Sequence, residues 1–129
     1  MRAIVAFAIA VAVTAPMATP AVAGPSAAQI QKRIDAAKKV YDRALSLYQG
    51  GTGTNDAVYT WSVRWLTAER ETPLKGAKLK TALGDHLARM QALEKTATDL
   101  AHTGKVATVD VEAAQYYVAE AEVWEARAK

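Results

Sequence analysis

Tyr48-Gln49-Gly50-Gly51-Thr52-Gly53-Thr54-Asn55-Asp56 decides the fold, because this stretch stops one helix, turns the chain and starts another. Glycine takes the left-handed backbone geometry that ends helices at little cost. Thr54 or Asn55 caps the next helix with a side-chain oxygen, and Asp56 sets a negative charge at the positive end of its dipole. Upstream, Ile30, Ile34, Ala37, Tyr41, Ala44 and Tyr48 recur every three or four residues, the stripe of an amphipathic helix over 26–49. Downstream, Trp61, Trp65 and Ala68 give a second helix one face, which Val63 and Leu66 widen. The expected unit is a helical hairpin.

The second half of the chain repeats this plan. Thr72-Pro73 marks the boundary, since proline disfavours helix in the residue before it and suits the first turn of a new one. A third helix is predicted over 73–103, carried by Leu79, Leu83, Leu87, Met90, Leu93, Ala97 and Leu100, with its first turns weakened by Gly76 and Gly84. Gly104 ends it, and Thr108 is the expected cap of a fourth helix whose apolar row is Val111, Ala114, Val118 and Ala121. A shift of 53 residues places Ile30 on Leu83, Ile34 on Leu87, Val40 on Leu93, Ala44 on Ala97, Leu47 on Leu100 and Gly51 on Gly104. The pair Ala68-Glu69 falls on Ala121-Glu122. Two copies of one unit, about 26–72 and 73–129, explain the glycine and the Ala-Glu pair better than a shared heptad rhythm does. The fold expected is all-α, an antiparallel four-helix arrangement of two helix, glycine turn, helix hairpins forming a single domain over 24–129.

Each half is a long helix, then glycine with threonine nearby, then a valine-containing helix ending in Ala-Glu. The second copy of the turn reads His102-Thr103-Gly104-Lys105-Val106-Ala107-Thr108-Val109-Asp110-Val111. This pattern resembles the helical hairpin repeats of TolC-like outer-membrane efflux proteins, and also short exported bacterial helical proteins of no assigned activity. The resemblance implies a cell-envelope address and a hairpin architecture. It brings over no catalytic residue, and the alternating strand pattern of a membrane barrel is missing.

The first 23 residues read as a signal peptide. Met1 and Arg2 supply a positive end, residues 3–13 are unbroken apolar, and Ala21-Val22-Ala23 offers small residues for cleavage before Gly24. Eleven apolar residues span about 16 Å as a helix, too short for roughly 30 Å of hydrocarbon. No later segment is long and apolar enough to cross a membrane, so the mature chain is expected to carry no transmembrane segment. Export together with zero cysteines fits the periplasm or outer envelope of a bacterium. The missing cysteines also exclude disulfides, thiolate metal sites and a cysteine nucleophile. With 16 Lys and Arg against 13 Asp and Glu, the charge is near neutral once Arg2 is removed. Helices one and three are positive and helices two and four negative, which favours packing and leaves no single basic face for nucleic acid.

Chemistry-bearing motifs are scarce. His86 and His102 lie on one helix about 24 Å apart, and neither has a Glu three positions before it, the spacing of a bundle metal site. His86 borders the apolar stripe and reads as a partly exposed polar neighbour of it. Asp35 with Lys39, Glu71 with Lys75, Asp85 with Arg89 and Glu125 with Lys129 are spaced as helix surface pairs. The rings concentrate on helices two and four and read mainly as core. A candidate interaction surface is Trp61, Arg64, Trp65, Glu69, Tyr117, Glu122 and Trp124, with Arg64 placed to stack on a tryptophan. No catalytic, cofactor-binding or metal-ligating residue is assigned, and no cofactor is expected. The function expected is a non-enzymatic exported module that binds an envelope protein or itself. The alternative is a small-molecule or metal-binding bundle using His86, Glu69 and Glu122. Intact-mass measurement of the exported protein is expected to give a chain beginning at Gly24, and any other N-terminus refutes the cleavage assignment.

Overall fold

The computed structural model describes residues 10–17 and 24–128. Most of the expected signal peptide, including the cleavage-site residues Ala21, Val22 and Ala23, lies outside the described residues, as does Lys129. Four helices make up the fold: α1 (Ala27–Gln49), α2 (Asn55–Arg70), α3 (Ala77–His102) and α4 (Thr108–Arg127). Among the described residues there is no strand, and no helix is long and apolar enough to cross a membrane.

Local chemistry sets the helix ends. Ser26 and Gln29 form a reciprocal capping box at the start of α1, with bonds of 3.1 and 2.7 Å. Thr54 caps α2 by accepting the Ala57 N–H at 3.2 Å. The two hairpins turn through the same C-terminal motif. Gly51 N–H donates to the Tyr48 carbonyl at 2.9 Å and Thr52 N–H to Leu47 at 3.0 Å; Gly104 N–H donates to Ala101 at 3.1 Å and Lys105 N–H to Leu100 at 2.9 Å. This is the paired bonding of a Schellman cap, and it needs the left-handed φ seen at Gly51 (82°) and Gly104 (72°).

Two boundaries differ from the sequence expectation. Thr108 is the first residue of α4 rather than its cap; the cap is Ala107, which supplies no side-chain bond. Helix α3 begins at Ala77, not Pro73, and Gly76 caps it without a side-chain bond. The Thr72 hydroxyl donates to the Glu69 carbonyl at 2.5 Å and helps close α2. With Gly76 as a poor helix former, the intervening Pro73-Leu74-Lys75 is left as a connector.

The helices pack as an antiparallel four-helix arrangement. α1 lies chiefly on α2, α4 chiefly on α3, and α2 and α3 meet in the middle. α1 and α4 form opposite flanks with no close backbone approach along their lengths. The main core contains Tyr48, Val58, Met90, Leu93, Ala97, Ala114 and Ala121, all fully buried, and a smaller cluster joins Leu66, Ala82 and Leu83 with Trp124 beside it. The buried row of α2 is Asn55, Val58, Ser62 and Leu66, so Trp61 and Trp65 flank the core rather than centre it. Of the expected surface pairs, Asp35 with Lys39, Glu71 with Lys75 and Asp85 with Arg89 do not form, and Glu125 with Lys129 lies partly outside the described residues. Glu71 instead pairs with Arg33 across from α1, Asp35 accepts from Gln31, and Lys95 pairs with Asp99 at 2.8 Å.

The turn geometry has a measurable consequence. A Cβ at Gly51 meets nothing closer than 4.0 Å and at Gly104 nothing within 4 Å, so alanine there costs only backbone strain, about 1 kcal/mol each. At Gly53 an added Cβ sits 2.9 Å from the Tyr48 backbone nitrogen. Urea unfolding is expected to rank Gly53→Ala as more destabilising than either Gly51→Ala or Gly104→Ala.

Candidate functional site

The middle of the molecule holds a polar network to which all four helices contribute. Ser62 sits in the buried row of α2, four residues after Val58 and four before Leu66, so its hydroxyl faces α3 with no access to water. His86 and Arg89 are three apart on α3 and reach the same oxygen. Arg89 Nε donates to Ser62 Oγ at 2.7 Å, and Ser62 Oγ lies 2.8 Å from His86 Nδ1. Since the guanidinium only donates, the serine oxygen accepts from Arg89, and the direction of the bond to His86 Nδ1 is set by the imidazole tautomer.

Aromatic faces hold the charge. The Arg89 guanidinium carbon lies 4.0 Å from the Trp65 ring centre and 5.7 Å from that of Tyr41 on α1. Trp65 Nε1 donates to Glu69 Oε1 at 2.8 Å, and Trp124 of α4 stacks on His86 at 5.5 Å between ring centres. Burial, helped by the Arg89 charge, pushes His86 down to about 4 from its ordinary 6.5. Burial also lowers Arg89, against the pull of Glu69, Tyr41 and Asp85. It raises Glu69, against the Trp65 hydrogen bond and the Arg89 charge. His86 Nε2 and Glu69 Oε2 are buried without a hydrogen-bond partner.

A serine bonded to a histidine suggests nucleophilic chemistry, and the rest of the geometry removes it. Such a dyad needs a group orienting the far nitrogen and an opening for a substrate. Here the far nitrogen faces no acceptor, and both Ser62 and His86 are fully buried. The network acts as a structural joint.

The residues singled out from sequence separate into different places. Trp65, Glu69 and Trp124 belong to the joint. Tyr117 stacks on Tyr59 at 4.0 Å, beside the bond of 2.5 Å from Tyr59 to Glu120. Arg64 lies over Trp61 at 4.5 Å, exposed on α2, and Glu122 is exposed on α4. His86 is buried rather than partly exposed, because Ser62 supplies the polar partner that its own helix lacks. Arg89 leaves Asp85 for the same serine. Among the described residues no three His, Asp or Glu side chains gather as a metal site, and His86, Glu69 and Glu122 do not converge on one. From sequence, Tyr41 reads only as part of the α1 stripe and Arg89 only as a surface partner of Asp85, and Ser62 is not singled out; the available signal is a lone serine in the apolar row Val58, Ser62, Leu66.

Comparison with family models, with curated proteins and with solved structures finds no match to this chain. The reading of the joint therefore rests on its own geometry, which fixes a pH dependence. Above about pH 6.5 His86 is neutral folded or unfolded, and its contribution is intact. Between 6.5 and 4 the unfolded chain takes up a proton that the folded chain refuses, so stability falls with pH by up to about 3 kcal/mol and flattens below. Glu69 acts in the opposite sense, gaining stability as the pH falls toward its ordinary 4.5. The urea midpoint of the native protein is expected to drop between pH 7.5 and 4.5. In His86→Gln, which keeps a polar partner for Ser62, the drop is smaller; an equal drop in both refutes the assignment.

Proposed function

We propose that this chain is an exported, non-enzymatic helical module of the bacterial cell envelope, built from two copies of one hairpin, that acts by protein-protein contact through α1 and α4. One observation carries the reading. The groups that chemistry would use, Ser62 and His86, are sealed, whereas the large apolar side chains exposed on the helices are Val40 and Leu47 on α1 and Val109, Tyr116 and Val123 on α4. Each set is spaced by seven, which puts its members on one side of its helix. Uncovered apolar rows of this kind mark interaction surfaces more often than isolated exposed residues do.

The envelope address is supported by the signal-like N-terminal sequence and by the likeness to TolC-type hairpins. The ligand-binding alternative draws no support from His86 and Glu69, which are packed into the joint, or from Glu122, which stands apart and exposed on α4. A photo-crosslinking amino acid placed at Tyr116 or at Leu47 in exporting cells is expected to give a heavier adduct. The same probe at exposed Gln91 on α3 serves as control. Absence of adducts at both test positions, or equal adducts at Gln91, overturns the reading.

A further inference from the structure

The two hairpins do not bury equivalent faces against each other. In a two-fold pair, positions related by the 53-residue shift would be covered alike. Within each hairpin that equivalence holds: Ala44 and Ala97 are both buried, as are Ala68 and Ala121. Between the hairpins it fails in both directions. Asn55, Ser62 and Leu66 of α2 are buried against the second hairpin, yet their counterparts Thr108, Gln115 and Ala119 on α4 are exposed. His86, Leu93 and Leu100 of α3 are buried, yet Arg33, Val40 and Leu47 on α1 are exposed. The joint is heterologous: the α2 side of one unit meets the α3 side of the next. It leaves the α4 side of the second unit and the α1 side of the first uncovered, on the two flanks whose backbones make no close approach.

From this we infer that the chain self-associates head to tail, the α4 flank of one copy packing on the α1 flank of the next in the register that joins its own hairpins. The inference rests on the proposed repeat and deepens the proposed interaction role by naming its partner as a second copy of this chain. Carrying the observed contacts forward by 53 residues tests whether the surfaces suit one another. The stacked pair Tyr59 and Tyr117 becomes Glu112 facing Arg64 of the next copy, an opposite-charge pair. Ser62 with His86 becomes Gln115 facing Arg33, an amide acceptor for a guanidinium. Leu66 against Leu83 becomes Ala119 against Ile30. Each substituted pair is compatible. Neither Glu112 nor Arg64 has an ion-pair partner among the described residues of its own copy. The flanks also carry opposite charge, α1 basic and α4 acidic, which steers them together. Heterologous contacts of this sort do not stop at two copies; they close as a ring or extend as a filament.

Light scattering and sedimentation of the purified protein across concentration test this. The expected result is assembly beyond the dimer, weakening as salt rises. Arg64→Glu and Glu112→Arg each set like charges opposite one another and are expected to weaken assembly at least about tenfold with helical content unchanged. The double variant restores the pair and the assembly. A protein that stays monomeric, one that stops at a two-fold dimer, or single variants that assemble like the native chain overturn the inference. A monomer that still yields a Tyr116 adduct with another protein overturns head-to-tail stacking alone and leaves the interaction role standing. A monomer with no adduct removes both.

Discussion

The Ser62 hydroxyl fixes the two hairpins to each other. It is the one oxygen reached by both Arg89 and His86, and it lies where α2 meets α3, between hairpins otherwise joined mainly by apolar contact. A guanidinium taken out of water is costly unless something replaces its hydration. Here the replacement comes from the serine oxygen, the Ser62 carbonyl at 3.4 Å and the faces of Trp65 and Tyr41. Because Tyr41 belongs to α1 and Trp124 on His86 belongs to α4, the flanking helices are oriented through the same point. Moving Ser62 by one helical position would strand a charge and a histidine together.

The joint also dictates what the histidine can be. A second positive charge beside Arg89 would be buried and repelled by the guanidinium, and Nε2 has no hydrogen-bond partner to hold it. His86 is thus held neutral by burial and by its neighbour, and the role left to it is that of a hydrogen-bond partner for Ser62 with a flat face for Trp124. A second polar cluster ties the flanks near the glycine turns. Tyr48 donates to Asp110 at 3.1 Å, and Asn55 reaches the Asp110 carbonyl at 2.9 Å. Both clusters use groups drawn from separate hairpins, so relative hairpin position is specified by polar geometry as well as by volume.

What the sequence made legible follows from how far each signal reaches. Helix ends at Gly51 and Gly104 were readable because a left-handed residue is a local requirement, met by glycine wherever it occurs. The apolar rows of α1 and α3 were readable from period alone. The start of α3 was not, since a proline permits a helix start without requiring one and Gly76 argues the other way. His86 and Arg89 were misread for a deeper reason. Spacing along one helix offered Asp85 as the partner of Arg89, and nothing in that helix reports a serine 27 residues upstream. From sequence, Trp61 and Trp65 read as the centre of a face because large rings weigh heavily in any apolar count. The smaller Ser62 and Leu66 occupy the centre instead, where α2 and α3 approach most closely.

The unequal burial of matching positions follows from the same joint. If the hairpins met through like faces, Ser62 would lie opposite its own counterpart, Gln115, and the buried charge would have no donor and acceptor of different kinds to settle between. Ser62 instead meets His86 and Arg89, which under the proposed repeat are not its counterparts, so on that reading the contact is heterologous. A heterologous contact between two units always leaves one face of each unit unused. In solenoid-like arrays such end faces are made polar when the array is to stop. Here the α4 end face presents Glu112 and Gln115, with Val109, Tyr116 and Val123 exposed on the adjoining side of the helix, and α1 presents Arg33 but keeps Val40 and Leu47. These faces are too apolar for simple caps and too charged for a permanent core. For the self-association proposed above, that composition suits an interface made and broken in water, with the charges selecting the partner and the apolar rows supplying the contact.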